Sequence, residues 1–156
     1  MGSTGGRVSH SVLTHEFRID AAPEEVFVHL TTPESYVGLS PLVVAVRDVD
    51  RSRPGVIRYT AVERFRLLPF LTYDFLTYDN PIDVALHTDG LSVYGEVRSP
   101  GRVRMAYRFD LAPDGGGTRV RDRLDLTAPW LVAGFAAGQA RKVQLARARI
   151  LAERLS

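Results

Sequence analysis

The last third of the chain reads as one long helix, and it follows a stretch that reads almost entirely as strand. Between Pro129 and Leu155 there is no internal proline. An apolar stripe runs Val132, Phe135, Ala136, Gln139, Val143, Ala146, Ile150, in steps of three and four that share one helical face. A helix over 129–155 would reach about 40 Å at 1.5 Å per residue, longer than a packing cap on a small domain needs. Laid across a curved antiparallel sheet, such a helix leaves a space beneath it, and that space is the first pointer to function.

From Leu42 to Thr127 the pattern is period-two, broken by turn residues. Strands are expected at 43–50, 55–66, 71–79, 83–88, 91–98, 103–111 and 118–127, with 83–88 and 91–98 read either as two strands or as one broken strand. Asp89-Gly90, Pro100-Gly101 and Pro113 to Gly117 supply turns, and Asp79-Asn80-Pro81 is expected to turn as well. Ahead of these, Val12 to Ile19 alternates, with Leu13, His15, Phe17 and Ile19 on one face. Pro23-Glu24-Glu25 is a helix-start signal, because proline fits the first helical position and acids suit the first turn. That helix ends near Thr31, and Thr32-Pro33-Glu34 starts a second short one.

With 156 residues, 45% hydrophobic and 24% charged, the chain suits one domain with a sizeable core. The glycine-rich stretch 1–10 is expected to be a disordered lead-in and 11–156 a ligand-binding domain. No run of about 18 apolar residues exists, so no membrane span is expected. The absence of cysteine excludes disulfides, thiolate catalysis and thiolate metal sites, and makes a cytoplasmic location the default expectation. A net charge of +2 is too small to argue for nucleic acid. His10, His15, His29 and His87 show no ligand spacing, so no metal is expected, and no cofactor motif is present.

The order strand, two short helices, antiparallel strands, long helix carries familiar motifs. Ile19-Asp20-Ala21-Ala22-Pro23-Glu24-Glu25-Val26-Phe27 resembles the strand-to-helix opening of the START-like helix-grip superfamily (SRPBCC). Leu39-Ser40-Pro41-Leu42-Val43 resembles the segment before its second strand, and Tyr78-Asp79-Asn80-Pro81 its tyrosine-acid-proline turn. Tyr107 to Leu111 with Gly117 to Val120 resembles its closing hairpin. The resemblance covers residues 10–156 and falls nearest the polyketide cyclase/dehydrase-like branch. It implies an α+β helix-grip fold: a curved antiparallel sheet of about seven strands around the long C-terminal helix, with a cavity between them. It also implies an apolar ligand such as a lipid, sterol or polyketide. Two readings of such a cavity stay open: cofactor-free cyclisation, aromatisation or dehydration by acid–base chemistry, or carriage of a lipid, quinone or pigment precursor without reaction.

Strand parity gives the lining. The odd face of 55–66 carries Ile57, Tyr59, Ala61, Glu63 and Phe65, and that of 103–111 carries Met105, Tyr107 and Phe109. In the last strand Asp122 points inward, as does His15 in the first. In the implied fold these strands are antiparallel neighbours; setting Ile19 near Thr118 puts His15 opposite Asp122. That dyad is a candidate general base, because a carboxylate fixes the imidazole tautomer and stabilises its charged form. Its bland reading is a structural pair. Glu63 is a lone carboxylate on an apolar face, and burying one is costly unless water, an arginine or a ligand meets it. Tyr59 and Tyr107 are candidate donors to a carbonyl or enolate oxygen, or ordinary core aromatics. Gln139, the polar break in the helical stripe, and Phe135 are expected at the cavity. The apolar segment from Leu67 through Phe70 to Leu71, with Trp130 and Leu131, is expected to gate its mouth or to pack on a neighbouring chain. Arg104, Arg108, Arg119, Arg121 and Arg123 share the outer sheet face with Asp110 and Asp125. That face is either a solvated surface or a dock for an acidic partner such as an acyl carrier protein. Oligomeric state is not legible.

Overall fold

The computed structural model describes residues 6–66, 77–98 and 103–156, with Phe65, Arg66 and 77–83 described by backbone alone. Strand β1 (Val8–Ile19) leads to helix α1 (Pro23–Leu30) and a 3-10 turn (Pro33–Tyr36). Among the described residues six strands follow: β2 (Val43–Arg53), β3 (Val56–Arg66), β4 (Thr77–Asp89), β5 (Ser92–Arg98), β6 (Arg104–Asp114) and β7 (Gly117–Pro129). Helix α2 (Ala133–Leu155) closes the chain. The strands form one antiparallel sheet in the order β1-β7-β6-β5-β4-β3-β2, and α2 packs across β1 and β7. This is the α+β helix-grip arrangement expected: seven curved strands around a long C-terminal helix.

Local chemistry accounts for the elements. Pro23 sits at the start of α1 with Glu24 and Glu25 in its first turn, where the exposed backbone N–H groups favour acids. The Tyr36 hydroxyl donates to the Leu30 carbonyl at 2.7 Å and fastens the 3-10 turn to the end of α1. Thr118 Oγ1 donates to the Ala21 carbonyl at 2.7 Å, tying the start of β7 to the chain entering α1. Gly90, at φ +60°, supplies the left-handed turn between β4 and β5, which are therefore two paired strands rather than one broken strand. At the edge, β2 pairs with β3 through repeated register shifts, which bend that strand.

Three expectations are corrected. Asp79-Asn80-Pro81 is not a turn: β4 runs through it, with Val62 opposite Pro81 and Glu63 opposite Asn80. Helix α2 begins at Ala133 rather than Pro129, because β7 continues to Pro129 against Val8. For the same reason β1 starts at Val8, inside the expected lead-in. The beginning of the strand expected at 71–79 lies outside the described residues, as does Leu67 to Leu71.

The core fills the concave face of the sheet. Ile19, Leu86, Val93, Phe109, Val120 and Leu124 from the strands meet Val26, Leu30 and Leu39 from the α1 region and Leu151 from α2. This packed region occupies one end of the groove under α2; the other end is hollow.

Candidate functional site

The hollow end is a cavity of about 320 Å³, within the range of small-molecule sites. Its walls are mainly apolar: Val43, Val84, Val97, Met105, Leu124 and Leu126 from the sheet, with Ala136, Ala140 and Val143 from α2. Antiparallel register places the sheet wall in rows. Tyr59, Val84, Val97, Met105 and Leu126 are successive cross-strand partners from β3 to β7. The next row inward is Leu86, Gly95, Tyr107 and Leu124, and the row beyond is Val93, Phe109 and Asp122. Outward along β3 come Ala61 and then Glu63. Four residues of strand separate Glu63 from Tyr59, about 13 Å. Helix α2 starts over the outward end, where Phe135 is 73% exposed and Gln139 is also exposed, and reaches the inner end at Arg147. The cavity therefore has a mouth marked by Glu63, Phe135 and Gln139, and a floor marked by Tyr107 and Arg147.

At the floor, Tyr36, Tyr59 and Tyr107 cluster, with ring centroids 6.4 Å apart for Tyr36 and Tyr59 and 6.3 Å for Tyr36 and Tyr107. Burial pushes all three phenols up, so each keeps its proton at any ordinary pH. Tyr36 spends its proton on Leu30. The three hydroxyls lie close enough to influence one another's ionisation, and that of Tyr107 forms no hydrogen bond of standard geometry among the described residues. Tyr107 fits only because Gly95 lies opposite it: a Cβ on Gly95 would overlap the phenol ring and its oxygen.

Glu63 lines the wall near the mouth, and no described residue donates a hydrogen bond or ion pair to it. Burial raises its pKa. A carboxyl held this way exchanges protons nearer neutrality than a solvated one does.

The register of β1 on β7 is the one expected from the sequence, with Ile19 opposite Thr118 and His15 opposite Asp122. The hydrogen bond of the proposed dyad is nevertheless not formed. Asp122 turns its Oδ2 to Arg147 Nη2 at 2.8 Å, while the His15 ring stacks on Phe17 with centroids 5.6 Å apart. Neither His15 nor Asp122 touches the cavity. A guanidinium wins because it brings a full charge to a carboxylate that has no access to water.

Tyr59, Glu63, Met105, Tyr107, Phe135 and Gln139 are thus brought to one cavity. Ile57 is not; it packs beside the core. Phe109 is wholly buried beneath the floor, under the Arg147 guanidinium at 4.6 Å. Trp130 is 58% exposed and off the wall, because its residue lies in the turn between β7 and α2. The side chain of Phe65 and all of Phe70 lie outside the described residues. Sequence reading missed Tyr36, Ser40 and Leu42, which line the cavity from the 3-10 turn and the segment before β2. It also missed Arg147 and Gln144. Gln144 donates to the Leu13 carbonyl at 3.2 Å and takes a hydrogen bond from Arg141 at 2.8 Å, clipping α2 to β1. The signal was present in the spacing Ala140, Gln144, Arg147, Leu151, Leu155, a second helical face whose polar members disguise it.

On the outer face, Arg108 pairs with Asp110 at 2.9 Å, Arg123 with Asp125 at 3.0 Å, and Arg119 and Arg121 with Glu16 at 3.7 and 3.6 Å. Much of the arginine charge is spent locally. Among the described residues no cluster of potential ligands for a metal ion occurs, and no helix is long and apolar enough to cross a membrane.

The fold recurs in solved structures. The Zhui aromatase/cyclase from Streptomyces sp. R1128 matches with a TM-score of 0.76 at 11% identity, covering 94% of each chain. The di-domain aromatase/cyclase BexL of the BE-7585A biosynthetic pathway matches with a TM-score of 0.73 at 13% identity, over 94% of this chain and 50% of that one. A START superfamily protein from Mycobacterium smegmatis matches with a TM-score of 0.66 at 14% identity, over 95% of this chain and 100% of that one. At such identities the likeness is one of fold. No curated protein matches in sequence. The family model described as "Polyketide cyclase / dehydrase and lipid transport" matches residues 10–156, and the chain belongs to that family.

Proposed function

We propose that the protein binds a polyketide-like apolar metabolite under α2 and promotes its cyclisation, aromatisation or dehydration by cofactor-free acid–base chemistry. The observation that carries this reading is Glu63, a desolvated carboxyl on the wall of an otherwise apolar cavity, with its pKa raised by burial. A passive container has no need of such a group, since its burial costs stability. In the reaction, the Glu63 carboxylate removes a proton from a carbon flanked by carbonyls. The enolate so formed attacks a second carbonyl of the same molecule and closes a ring, and the protonated Glu63 returns the proton to the new alkoxide. Loss of water from the resulting alcohol then gives the dehydrated or aromatic product. Tyr59, protonated throughout, polarises an oxygen nearer the floor, while the Tyr107 hydroxyl is sealed against the sheet and takes no such role. His15 and Asp122 take no part in this scheme.

The family description also names lipid transport, so carriage without reaction is the second reading. Native mass spectrometry of protein purified from its own host identifies any bound molecule. Glu63→Gln then separates the readings: turnover of that molecule lost with affinity nearly unchanged supports the enzyme, and a molecule untouched by either version supports the carrier.

A further inference from the structure

Trp130, Leu131, Val132 and Phe135 run from the β7–α2 turn into the first turn of α2, and all four are exposed, Leu131 by 76% and Phe135 by 73%. Single exposed apolar residues are ordinary, but four large ones in near succession form a patch that calls for a partner. The backbone beneath them is held in place. The Trp130 N–H donates to the Arg7 carbonyl at 2.8 Å, and the Val132 N–H to the Pro129 carbonyl at 3.0 Å. The side chains therefore sit on a fixed tip rather than along a groove. The tip is continuous with the cavity, because Phe135 both stands in solvent and lines the mouth.

Charge picks the partner. From Leu126 to Ala152 the chain carries no acidic residue. Arg7 borders the patch through its bond to Trp130, and Arg104 stands across from Thr127, just before the turn. Lys142 lies two helical turns beyond Phe135 on the same face of α2. All three are exposed and without an ion pair among the described residues. A second copy of the chain seated on the patch would set this cationic rim against itself, since a two-fold contact pairs a surface with its own image. A folded protein partner would have to supply a groove for the tip. An anionic membrane suits both parts: its headgroup boundary accepts tryptophan and aliphatic side chains, and its phosphates attract the lysine and arginines.

We infer that this tip docks the protein on the surface of an anionic membrane, with Trp130, Leu131, Val132 and Phe135 entering the boundary between headgroups and acyl chains and Arg7, Arg104 and Lys142 facing the lipid phosphates. The contact lies on the membrane and does not span it, and among the described residues no helix is long and apolar enough to cross. Docked this way, the cavity mouth opens onto the acyl layer, and an apolar ligand enters without crossing water. The inference goes beyond the chemistry of the cavity: it does not use Glu63 and stands for reaction and carriage alike.

Trp130 is the chain's single tryptophan, so its fluorescence reports the tip without a label. The test titrates the intact chain with vesicles of phosphatidylcholine alone and of phosphatidylcholine mixed equally with phosphatidylglycerol, with cosedimentation as a second measure of binding. The expected result with the mixed vesicles is emission moving to shorter wavelength, quenched by lipids brominated on the upper acyl chain, with binding that weakens as salt is raised. Leu131→Ser changes a residue outside the cavity wall and is expected to weaken binding about tenfold, as loss of one buried leucine side chain implies. Lys142→Gln is expected to weaken binding to the mixed vesicles about fivefold and to leave any binding to the neutral ones unchanged. No shift and no cosedimentation with mixed vesicles overturns the inference and leaves the tip to a protein partner. Binding that Leu131→Ser does not weaken overturns the tip as the docking surface. Equal binding to both vesicles, indifferent to salt and to Lys142→Gln, overturns the anionic preference. Emission that shifts on concentrating the protein without lipid, with a dimer in analytical ultracentrifugation, overturns the membrane in favour of a second copy.

Discussion

Arg147 on α2 donates a 2.8 Å hydrogen bond to Asp122 on β7, with the side chain of one 4% exposed and that of the other fully buried. The pair joins the helix to the sheet at the point where packed core gives way to cavity. Desolvation alone would lower the Arg147 pKa, but the adjacent Asp122 carboxylate outweighs it and holds the guanidinium charged.

Removing one partner strands the other charge without water. Arg147→Ala or Asp122→Asn is expected to cost about 3–5 kcal/mol in urea unfolding. Replacing both by apolar residues of similar volume, Asp122→Leu with Arg147→Met, is expected to restore most of that loss, since the penalty lies in the unmatched charge. A double variant as unstable as the worse single one would show that the pair contributes favourable energy of its own.

Gly95 and Tyr107 are coupled by space rather than charge. Gly95→Ala drives a methyl group into the phenol ring across β5 and β6 and is expected to cost about 1–3 kcal/mol by overpacking. The cost should shrink markedly in a Tyr107→Leu background, a non-additivity read from a double-mutant cycle. Additive effects would mean that the strain sits in the backbone of β5.

How much of this was legible in the sequence follows from which forces set each feature. Period-two patterning and the registration of Ile19 on Thr118 are dictated by burial of one sheet face, so His15 was correctly placed opposite Asp122. Pairing by backbone does not choose a side-chain partner, however. That choice fell to Arg147, some 25 residues further along the chain, on a helical face whose arginine and glutamine look like solvent-facing residues when read alone. Glu63 was legible because strand parity alone puts it on the wall. Tyr36 was not, because a 3-10 turn has no periodicity that tells which side chain faces a cavity. Asp79-Asn80-Pro81 looked like a turn from residue type, but the long pairing of β4 with β3 runs through it.

A pH effect is expected at the far end of α2. Arg154 donates to the Ser35 and Val37 carbonyls at 2.6 and 3.0 Å and lies 3.3 Å from His29 Nε2. Burial first, and then the Arg154 charge, lower the His29 pKa. The folded state thus resists protonation, so the unfolded chain binds the proton more readily. Stability should be full above the usual histidine value of about 6.5 and decline as pH falls from there through the lowered folded value. In His29→Gln that decline should disappear from the pH dependence of unfolding. An unchanged slope would assign it to another group.

Glu63 predicts a slope of the opposite sign. Its folded pKa is raised by burial, so the folded state holds the proton more tightly than the unfolded chain does. Stability should be greatest below the usual carboxylate value of about 4.3, fall as pH rises through the raised folded value, and stay low above it. Glu63→Gln keeps the shape and removes the ionisation. The variant is therefore expected to be the more stable protein at neutral pH, with the advantage closing as pH drops toward about 4. The same substitution should abolish turnover while leaving affinity for the bound molecule nearly unchanged, because the carboxylate is needed for proton transfer rather than for holding an apolar ligand. Greater stability combined with lost turnover is the signature of a residue kept at a cost for its chemistry. A Glu63→Gln protein that is no more stable than its parent at neutral pH would mean that a partner compensates the buried charge. The proton-transfer role would then lose its main support.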